Sequence, residues 1–344
     1  MCGARYIQRR RRELDGFSMR FRLWALFLAA LPLVAAAPKP SAEARGVNLR
    51  GEVMILVYHK FGPADGRWTR SFDSFSQDLA RLDAAGYRPI TLRQYVTGDF
   101  ALPAGASPVV LTFDDGSAYQ MRFGPDGKLS ADSAVGRWAA FAAQHPEFPV
   151  HGTFFINPGD DVFGQRAFIQ AKLRMLVQMG SEVGNHTLTH SNLSKLSDAA
   201  IEREIGMGQY DIDRWLPGYQ VVSLALPYGI FPKPPALAAA GAWTGTPGTP
   251  QQAQAHRSEV TVRWHYPAVV KVGAGPAPSP LVAGLAGDRL PRIQVFRPEF
   301  DKWMAYFAAH PAQRFVSDGE RHAAGSLPAA AGSRRPRLAS LPTR

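Results

Sequence analysis

The chain has 344 residues, of which 46% are hydrophobic and 19% are charged, and its formal net charge is +11. This length and composition are those of a globular protein that can bury a substantial core, and one large α/β domain is the simplest partition. The charge does not indicate a nucleic-acid-binding surface, because residues 1–37 and 321–344 contribute +5 each and leave +1 for the body between them.

The N-terminus, residues 1–37, has the pattern of a secretory signal peptide. The segment MRFR, with basic Arg20 and Arg22, precedes LWALFLAALPLVAAA, an apolar run that ends in small side chains and is too short for a comfortable membrane span. We therefore predict cleavage near Ala36 and export to the periplasm or the exterior, without stable membrane insertion. The alternative is an uncleaved signal that tethers the protein to the membrane. Residues 38–50 are a polar linker.

The single cysteine, Cys2, lies before this apolar run. Its removal with the signal peptide would leave a mature protein without thiols. Disulfides are then excluded, and any metal ion must be held by histidine and carboxylate side chains.

The first predicted strand of the body, EVMILVYH over residues 52–59, is apolar and ends in His59. A helix follows, with a cap at Ser71 or Ser74 and a stop at Gly86. After a short extended piece and a second short helix comes the stretch around which the chain is organised.

That stretch is PVVLTFDDG, residues 108–116, in which a buried strand stops at Asp114 and Asp115. Further strands are predicted at 149–156, 181–186, 221–229, 260–264, 268–273 and 292–296, with helices at 132–144, 166–179, 197–215 and 298–309 and a possible last strand at 314–316. Alternation of strands and helices predicts parallel βα units, either a barrel or a doubly wound sheet. Residues 51–320 form this domain, and residues 321–344 are predicted to be a disordered basic tail.

Several predicted strands end in a polar side chain: His59, Asp114, His186 and Tyr228. Because the strands of a barrel share one carboxyl rim, such ends would converge there. This convergence favours the barrel over the open sheet.

Adjacent carboxylates such as Asp114 and Asp115 repel each other unless a cation or a proton separates them. Asp-Asp-Gly also suits a simple turn, with Asp115 capping a helix. The functional interpretation divides the work: one acid binds a metal ion, and the other accepts a proton from water.

His186 and His190 lie in GNHTLTH, where the H-x-x-x-H spacing can place both imidazoles on one side of a helix or tight loop. The alternative is one surface and one core histidine. Neighbouring hydroxyl and amide side chains could fix the imidazole tautomers. One carboxylate and two imidazoles suit a hydrolytic divalent metal ion such as Zn²⁺.

TFDDG, the later NHTxxHxxL segment and the ALPYG strand end together resemble the polysaccharide deacetylase family, carbohydrate esterase family four. The opening VYH strand and the helix after it resemble the secreted branch that acts on β-linked N-acetylglucosamine polymers. The similarity spans roughly residues 52–292. It implies a distorted (β/α)₇ barrel and a hydrolase of carbon–nitrogen bonds that removes N-acetyl groups from a glycan with a divalent metal ion.

Carried over by position, the resemblance implies that Asp114 is the general base acting on metal-activated water. It also implies that Asp115, His186 and His190 are the metal ligands. The backbone N–H of Tyr228, after Pro227, would contribute to the oxyanion hole.

Two departures from the family pattern stand out. The third motif usually starts with an arginine that steadies the base, but here Ala225 and Leu226 precede Pro227. No late strand ends in the histidine that usually serves as general acid; His265 is a weak substitute, and His59 is a possible site residue.

Among other polar and aromatic residues, Lys271 and Arg292 are predicted to be solvated. Trp243, Trp264 and Tyr228 are either core residues or platforms for sugar rings. The alternatives to the deacetylase are a catalytically silent glycan-binding relative and a hydrolase of small cyclic amides on the same scaffold. The export signal argues against the last.

Overall fold

The structure is a computed structural model that describes residues 46–248, 258–273, 275–296 and 298–329. The predicted signal peptide, Cys2, residues 38–45 of the linker and residues 330–344 of the tail lie outside the described residues. Those predictions remain predictions.

The described residues form twelve strands and seven α-helices, numbered here in chain order. The strands are β1 (Met54–Tyr58), β2 (Lys60–Gly62), β3 (Thr69–Ser71), β4 (Tyr87–Ile90), β5 (Ser107–Phe113), β6 (Thr153–Ile156), β7 (Glu182–Asn185), β8 (Ser223–Ala225), β9 (Ala240–Gly245), β10 (Val260–His265), β11 (Ala268–Val270) and β12 (Ile293–Gln294). The helices are α1 (Phe72–Ala84), α2 (Leu92–Thr97), α3 (Ala134–Gln144), α4 (Ile169–Gln178), α5 (Asp198–Trp215), α6 (Ala236–Ala239) and α7 (Glu299–Ala309). No helix in this described part of the chain is both long enough and apolar enough to cross a bilayer.

Seven parallel strands follow one another around a barrel in the order β1, β5, β6, β7, β8, β11 and β12. β12 pairs with β1, and single bridges from Val270 to Leu290 and from Gly273 to Ile293 join the last strand to β11. The ring therefore closes, and the predicted distorted (β/α)₇ barrel is confirmed. β4 lies outside this ring order, against the first half of β5.

The predicted helices are present with bounds that differ by at most about three residues, whereas α6 was not predicted. Ser71 caps α1 by accepting from the N–H of Ser74 at 3.0 Å, and Thr91 and Gln94 form a capping box on α2. Ser133 and Ser197 cap α3 and α5 in the same way. Each cap satisfies backbone N–H groups that a helix start leaves unpaired, and it thereby sets the point at which the helix leaves the loop.

The barrel strands are held by an apolar core on both faces. All residues of β1 and β5 are buried, and the rings of Phe113 and Phe154 stack at a centroid distance of 4.5 Å. Trp138 of α3 packs on the same aromatic group. Each large apolar side chain buried in this way contributes about 1.5–3 kcal/mol to stability relative to exposure. This packing holds the strands in place and therefore sets the positions of their ends.

β9 and β10 form an antiparallel hairpin that the sequence did not predict as a pair. Trp243 and Trp264 lie in it and are only 8% and 5% exposed. Their interpretation as sugar platforms is therefore wrong. A methyl group at Gly206 of α5 would lie 2.4 Å from the Cβ of Trp243, so the missing side chain of Gly206 is what lets the hairpin pack this closely on α5.

Two predictions near the C-terminus need correction. Residues 314–316 are not a regular strand; they form isolated bridges with Glu52 and Asn48. Residues 321–329 were assigned to a disordered tail, but Leu327 exchanges backbone hydrogen bonds with residues 281 and 283 at 2.8 Å. The apolar side chain of Leu327 packs against the second core cluster, which composition alone did not reveal.

Candidate active site

The carboxyl rim of the barrel gathers the polar groups that the sequence placed at strand ends. His59 follows β1, Asp114 and Asp115 follow β5, His186 follows β7, and Pro227 and Tyr228 come shortly after β8. Asp114 and His186 are both 1% exposed. The site is therefore built from buried strand ends, and loops complete it.

Asp115, His186 and His190 face one another. One oxygen of Asp115 lies 3.4 Å from Nε2 of His186 and 3.6 Å from Nε2 of His190, and the three potential ligand atoms lie within 4.8 Å of one another. The two rings meet edge to face at a centroid distance of 4.8 Å. A carboxylate oxygen and two imidazole nitrogens at these separations fit a divalent cation between them.

The tautomer of His186 is set by the backbone. Its Nδ1 lies 2.8 Å from the carbonyl oxygen of Ala225, which can only accept a hydrogen bond. Nδ1 therefore carries a proton, and Nε2, which faces Asp115, is the nitrogen that would bind a metal ion. A buried histidine held by a carbonyl in this way has the usual orientation of a metal ligand.

Backbone strain is concentrated at this rim. Five non-glycine residues of the described chain have positive φ, and four of them are Asp115, Thr187, His190 and Tyr228. Such conformations cost of order 1–3 kcal/mol each and persist only where the surroundings enforce them. The cost is consistent with side chains that are held in place for function.

The loop from 185 to 190 is fixed from three sides. Asn185 accepts from the N–H of Thr187 at 2.9 Å, and Asn157 donates to the carbonyl of Thr187 at 3.1 Å. Glu204 of α5 accepts from both the N–H and the hydroxyl of Thr189, at 2.9 and 2.8 Å. These bonds hold the two histidines at the distance from each other that the site requires.

Close approach of α5 to this loop depends on Gly208. A methyl group there would lie 2.5 Å from the amide oxygen of Asn185. We expect Gly208→Ala to displace the loop and to weaken divalent-metal binding by about tenfold, the effect typical of disturbed support for metal ligands. Calorimetric metal titration of the variant would measure it.

Gly206→Ala provides a matched control, because it lies in the same helix and its methyl group would press on Trp243 instead of the loop. It should destabilise the fold similarly while keeping metal affinity. Equal metal affinity in both variants would show that Gly208 does not position the site.

Asp114 is held by an arginine that the sequence did not assign to the site. Arg292 donates from its two terminal nitrogens to the two carboxylate oxygens of Asp114, at 2.6 and 2.7 Å, and to the hydroxyl of Thr112 at 3.0 Å. The Arg292 side chain is 0% exposed. The prediction that Arg292 is solvated is therefore wrong; it lies between β11 and β1 and points into the barrel rim.

This pair determines the charge of Asp114. Burial alone would raise the pKa of the carboxyl group, but the Arg292 guanidinium, followed by His186, holds it well below its usual range. Asp115 also has a lowered pKa: burial raises it, and the hydrogen bond to His186 outweighs that effect. Both acids are ionised at neutral pH, and two adjacent anions require positive charge beside them.

His59 lies on the other side of Asp114. Its Nε2 is 3.9 Å from the Oδ2 of Asp114, and burial lowers the pKa of the imidazole. Its carbonyl accepts from the side chains of Gln120 and Ser117 at 2.7 and 3.2 Å. The structure therefore brings the possible site residue His59 to the rim, whereas His265 is exposed on the β9–β10 hairpin.

Tyr228 borders the cluster. Its ring lies 4.8 Å from that of His190, and the side chain is 62% exposed. The N–H groups of Gly229 and Ile230 bond back to Leu226 and Pro227. These bonds form a tight turn that leaves the Tyr228 backbone at the rim.

Comparison with known proteins agrees with this geometry. Residues 102–242 match the family model for polysaccharide deacetylase, which confirms the resemblance inferred from the sequence motifs. The matched stretch contains Asp114, Asp115, His186, His190 and Tyr228. Arg292 lies beyond it and His59 lies before it; His59 was already a possible site residue from the sequence, whereas Arg292 is assigned to the site by the structure alone.

Solved deacetylase structures share the fold. The deacetylase PplD of Streptococcus pyogenes, solved in complex with acetate, is 19% identical with a TM-score of 0.51, and the match covers 72% of this chain and 94% of that one. The polysaccharide deacetylase BC0361 from Bacillus cereus is 16% identical with a TM-score of 0.52, over 74% of this chain and 69% of that one.

Proposed function

We propose that this protein is a metal-dependent enzyme that removes N-acetyl groups from a polysaccharide. The match of residues 102–242 to the family model for polysaccharide deacetylase, a family of hydrolases of carbon–nitrogen bonds other than peptide bonds, supports the proposal. The observation that carries the proposal is the juxtaposition of two differently held carboxylates. Asp114 is locked onto Arg292, while Asp115 faces His186 and His190.

Asp115, His186 and His190 would hold the cation, and their mixed carboxylate and imidazole donor set suits Zn²⁺. A bound divalent cation would polarise the acetamide carbonyl and make a water molecule acidic near neutral pH. The remaining steps belong to the residues of this chain.

Asp114 would accept the proton of the attacking water. Arg292 keeps this carboxylate ionised and fixes its plane, so the Oδ2 atom stays 3.8 Å from Nε2 of His186 at the edge of the metal cluster. The N–H of Tyr228 would stabilise the oxyanion that forms on the carbonyl oxygen. The carbon–nitrogen bond then breaks, acetate leaves, and the sugar amine takes up a proton.

His59 is the group of this chain best placed to supply that proton. Its Nε2 lies 3.9 Å from Oδ2 of Asp114, beyond direct hydrogen-bond distance, so a proton taken from water by the carboxylate would reach the imidazole through one bridging water molecule and pass on to the amine. No late-strand histidine lies at the rim among the described residues, which leaves His59 as the candidate general acid.

The alternative of a silent relative rested on the missing arginine and the missing acid. Arg292 now supplies a guanidinium to Asp114 from the last barrel strand, which removes the first reason. The proposed substrate remains a β-linked N-acetylglucosamine polymer, as the resemblance of the first strand and helix implies. With the predicted signal peptide, the proposed location is the periplasm or the exterior.

Metal removal tests the proposal directly. Treating the protein with a chelator should abolish acetate release from an N-acetylglucosamine polymer, and adding Zn²⁺ should restore it. His186→Ala should lose both metal binding and activity, because the ring is the most buried of the three potential ligands. Acetate release at the full rate by protein with no detectable bound metal would contradict the mechanism, and metal binding without acetate release would favour the silent relative.

A further inference from the structure

Two large aromatic side chains stand exposed beside His59. Trp68 and Tyr119 are each 44% exposed, and the centroid of the Trp68 ring lies 5.0 Å from that of His59. Nε2 of His59 is in turn 3.9 Å from Asp114, the proposed general base. The His59 ring therefore separates Trp68 from Asp114, and this separation is about the width of one sugar ring. A single exposed aromatic residue needs no explanation by itself, and it is the position of Trp68 against His59 at the rim that makes its ring available to a ligand bound there.

The backbone that carries Trp68 is rigid. Lys60 donates to the carbonyl of Trp68 at 2.9 Å, and Gln294 donates to that of Arg67 at 3.3 Å. Arg70, two residues on, forms a buried two-bond pair with Asp78 at 2.6 and 2.8 Å. The backbone from which the indole projects is therefore held in place, which reduces the entropy cost of ordering this loop on binding.

Tyr119 is fixed to the same corner of the rim. Its neighbours Ser117 and Gln120 both donate to the carbonyl of His59. Its ring meets that of Phe72 edge to face at 5.9 Å. Trp68 thus contacts the His59 ring from one loop, and the loop that carries Tyr119 is bonded to the His59 backbone through Ser117 and Gln120.

Basic side chains accompany both rings. The guanidinium of Arg67 lies 5.4 Å from the centroid of Trp68, and that of Arg122 lies 5.2 Å from the centroid of Tyr119. Guanidinium groups supply N–H donors for hydroxyl and acetamide oxygens, and the ring faces suit the apolar face of a pyranose. This combination recognises a saccharide better than it recognises a purely apolar ligand.

The opposite side of the rim is bordered by Tyr228. In the barrel order, β5, β6 and β7 separate β1 from β8 on one side, and β11 and β12 separate them on the other. His59 and Tyr228 therefore stand across the barrel mouth, with the metal cluster between them. A glycan passing over the cluster would meet aromatic surface at both ends.

We propose that Trp68 and Tyr119 form a saccharide subsite beside His59 that holds the sugar next to the one being deacetylated. This inference rests on the proposed function and deepens it: the substrate is an oligomer or polymer that spans the rim, not a free monosaccharide. The subsite binds the neighbouring pyranose by stacking on Trp68, with Tyr119 bordering the ring.

The test compares the affinities of three probes: N-acetylglucosamine, its β-1,4-linked pentamer and its β-1,6-linked pentamer. They are measured by calorimetry in the Asp114→Asn background so that no acetate is released. We expect Trp68→Ala to weaken binding of the better pentamer about tenfold, Trp68→Phe to weaken it less, and the monosaccharide to be affected least. Phe168→Ala is a matched control, because Phe168 is 41% exposed and packs on Phe123 rather than on a site residue. It should leave the affinity for the pentamer unchanged.

Equal pentamer affinity in the Trp68→Ala and Phe168→Ala proteins would overturn the subsite, as would failure of both pentamers to bind. Acetate release by the unsubstituted protein is measured separately on the same pentamers. Its absence would overturn the proposed reaction, while the affinity series would still decide the subsite.

Discussion

Asp114→Asn should lower turnover of an N-acetylated glycan by about two to four orders of magnitude, the usual contribution of a general base. The amide has the size of the carboxylate but cannot accept the proton of water. The proposed metal ligands Asp115, His186 and His190 are untouched, so the variant should still bind a divalent ion. Acetate release and metal titration on the same preparation measure both properties.

Asp115→Asn is the natural companion to this variant. It removes the carboxylate that faces both histidines, so metal affinity and activity should fall together. A turnover by Asp114→Asn equal to that of the unsubstituted protein would remove Asp114 from the mechanism. If Asp114→Asn lost the metal ion and Asp115→Asn retained it, Asp114 would be the metal ligand and Asp115 the general base.

Arg292→Met should damage both stability and catalysis. Breaking a buried pair by removing one partner costs about 3–5 kcal/mol of unfolding free energy, because the remaining charge is left uncompensated. Asp114 would also lose two hydrogen bonds that fix its plane, so turnover of the folded fraction should fall by at least about tenfold. Arg292→Lys keeps the charge but not the two-bond geometry. Its stability and its turnover should therefore lie between those of the unsubstituted protein and those of Arg292→Met. Urea unfolding and steady-state acetate release measure the two effects.

Two controls separate catalysis from stability. Arg88→Met breaks another buried pair, with Asp83, at the opposite end of the barrel, where Arg88 lies beside Pro108 at the start of β5. It should lower stability with much less effect on turnover of the folded protein. Adding Asp114→Asn to Arg292→Met should recover part of the lost stability, because the unpaired charge is removed. Additive losses of stability would mean that the ion pair does not couple the two residues.

The sequence was sufficient for the parts of the site that lie on local signals. Asp114 and Asp115 stop an apolar strand, and His186 and His190 share one short loop, so each pair could be recognised within a few residues. The helix caps at Ser71 and Thr91 are equally local. The family resemblance then connected pairs that lie about seventy residues apart in the sequence.

Arg292 could not be recognised in this way. Its partner Asp114 is 178 residues earlier in the chain, and β12, which Arg292 directly precedes, is only two residues long. An arginine between proline and isoleucine has no pattern that distinguishes burial from exposure. Only closure of the barrel, which brings 290–293 against β11 and β1, reveals that it is buried.

The surroundings of the tryptophans could not be recognised from the sequence either. Trp243 and Trp264 were predicted to be either core residues or sugar platforms, and only the packing of their hairpin against α5, which Gly206 permits, shows that they are core residues. Trp68 lies in a polar loop without periodicity, so nothing in the sequence separated it from a solvated loop residue. Exposure is a property of packing partners, which single-sequence patterns do not show.

The closing position of the last strand has a consequence for how the protein is made. A ribosome completes Asp114 long before it completes Arg292, and domains begin to fold from their N-terminal side. Until the seventh strand docks, the carboxylate has no guanidinium beside it in a half-built sheet. Any fragment that ends before residue 292 should therefore contain every proposed metal ligand and yet lack a correctly held base.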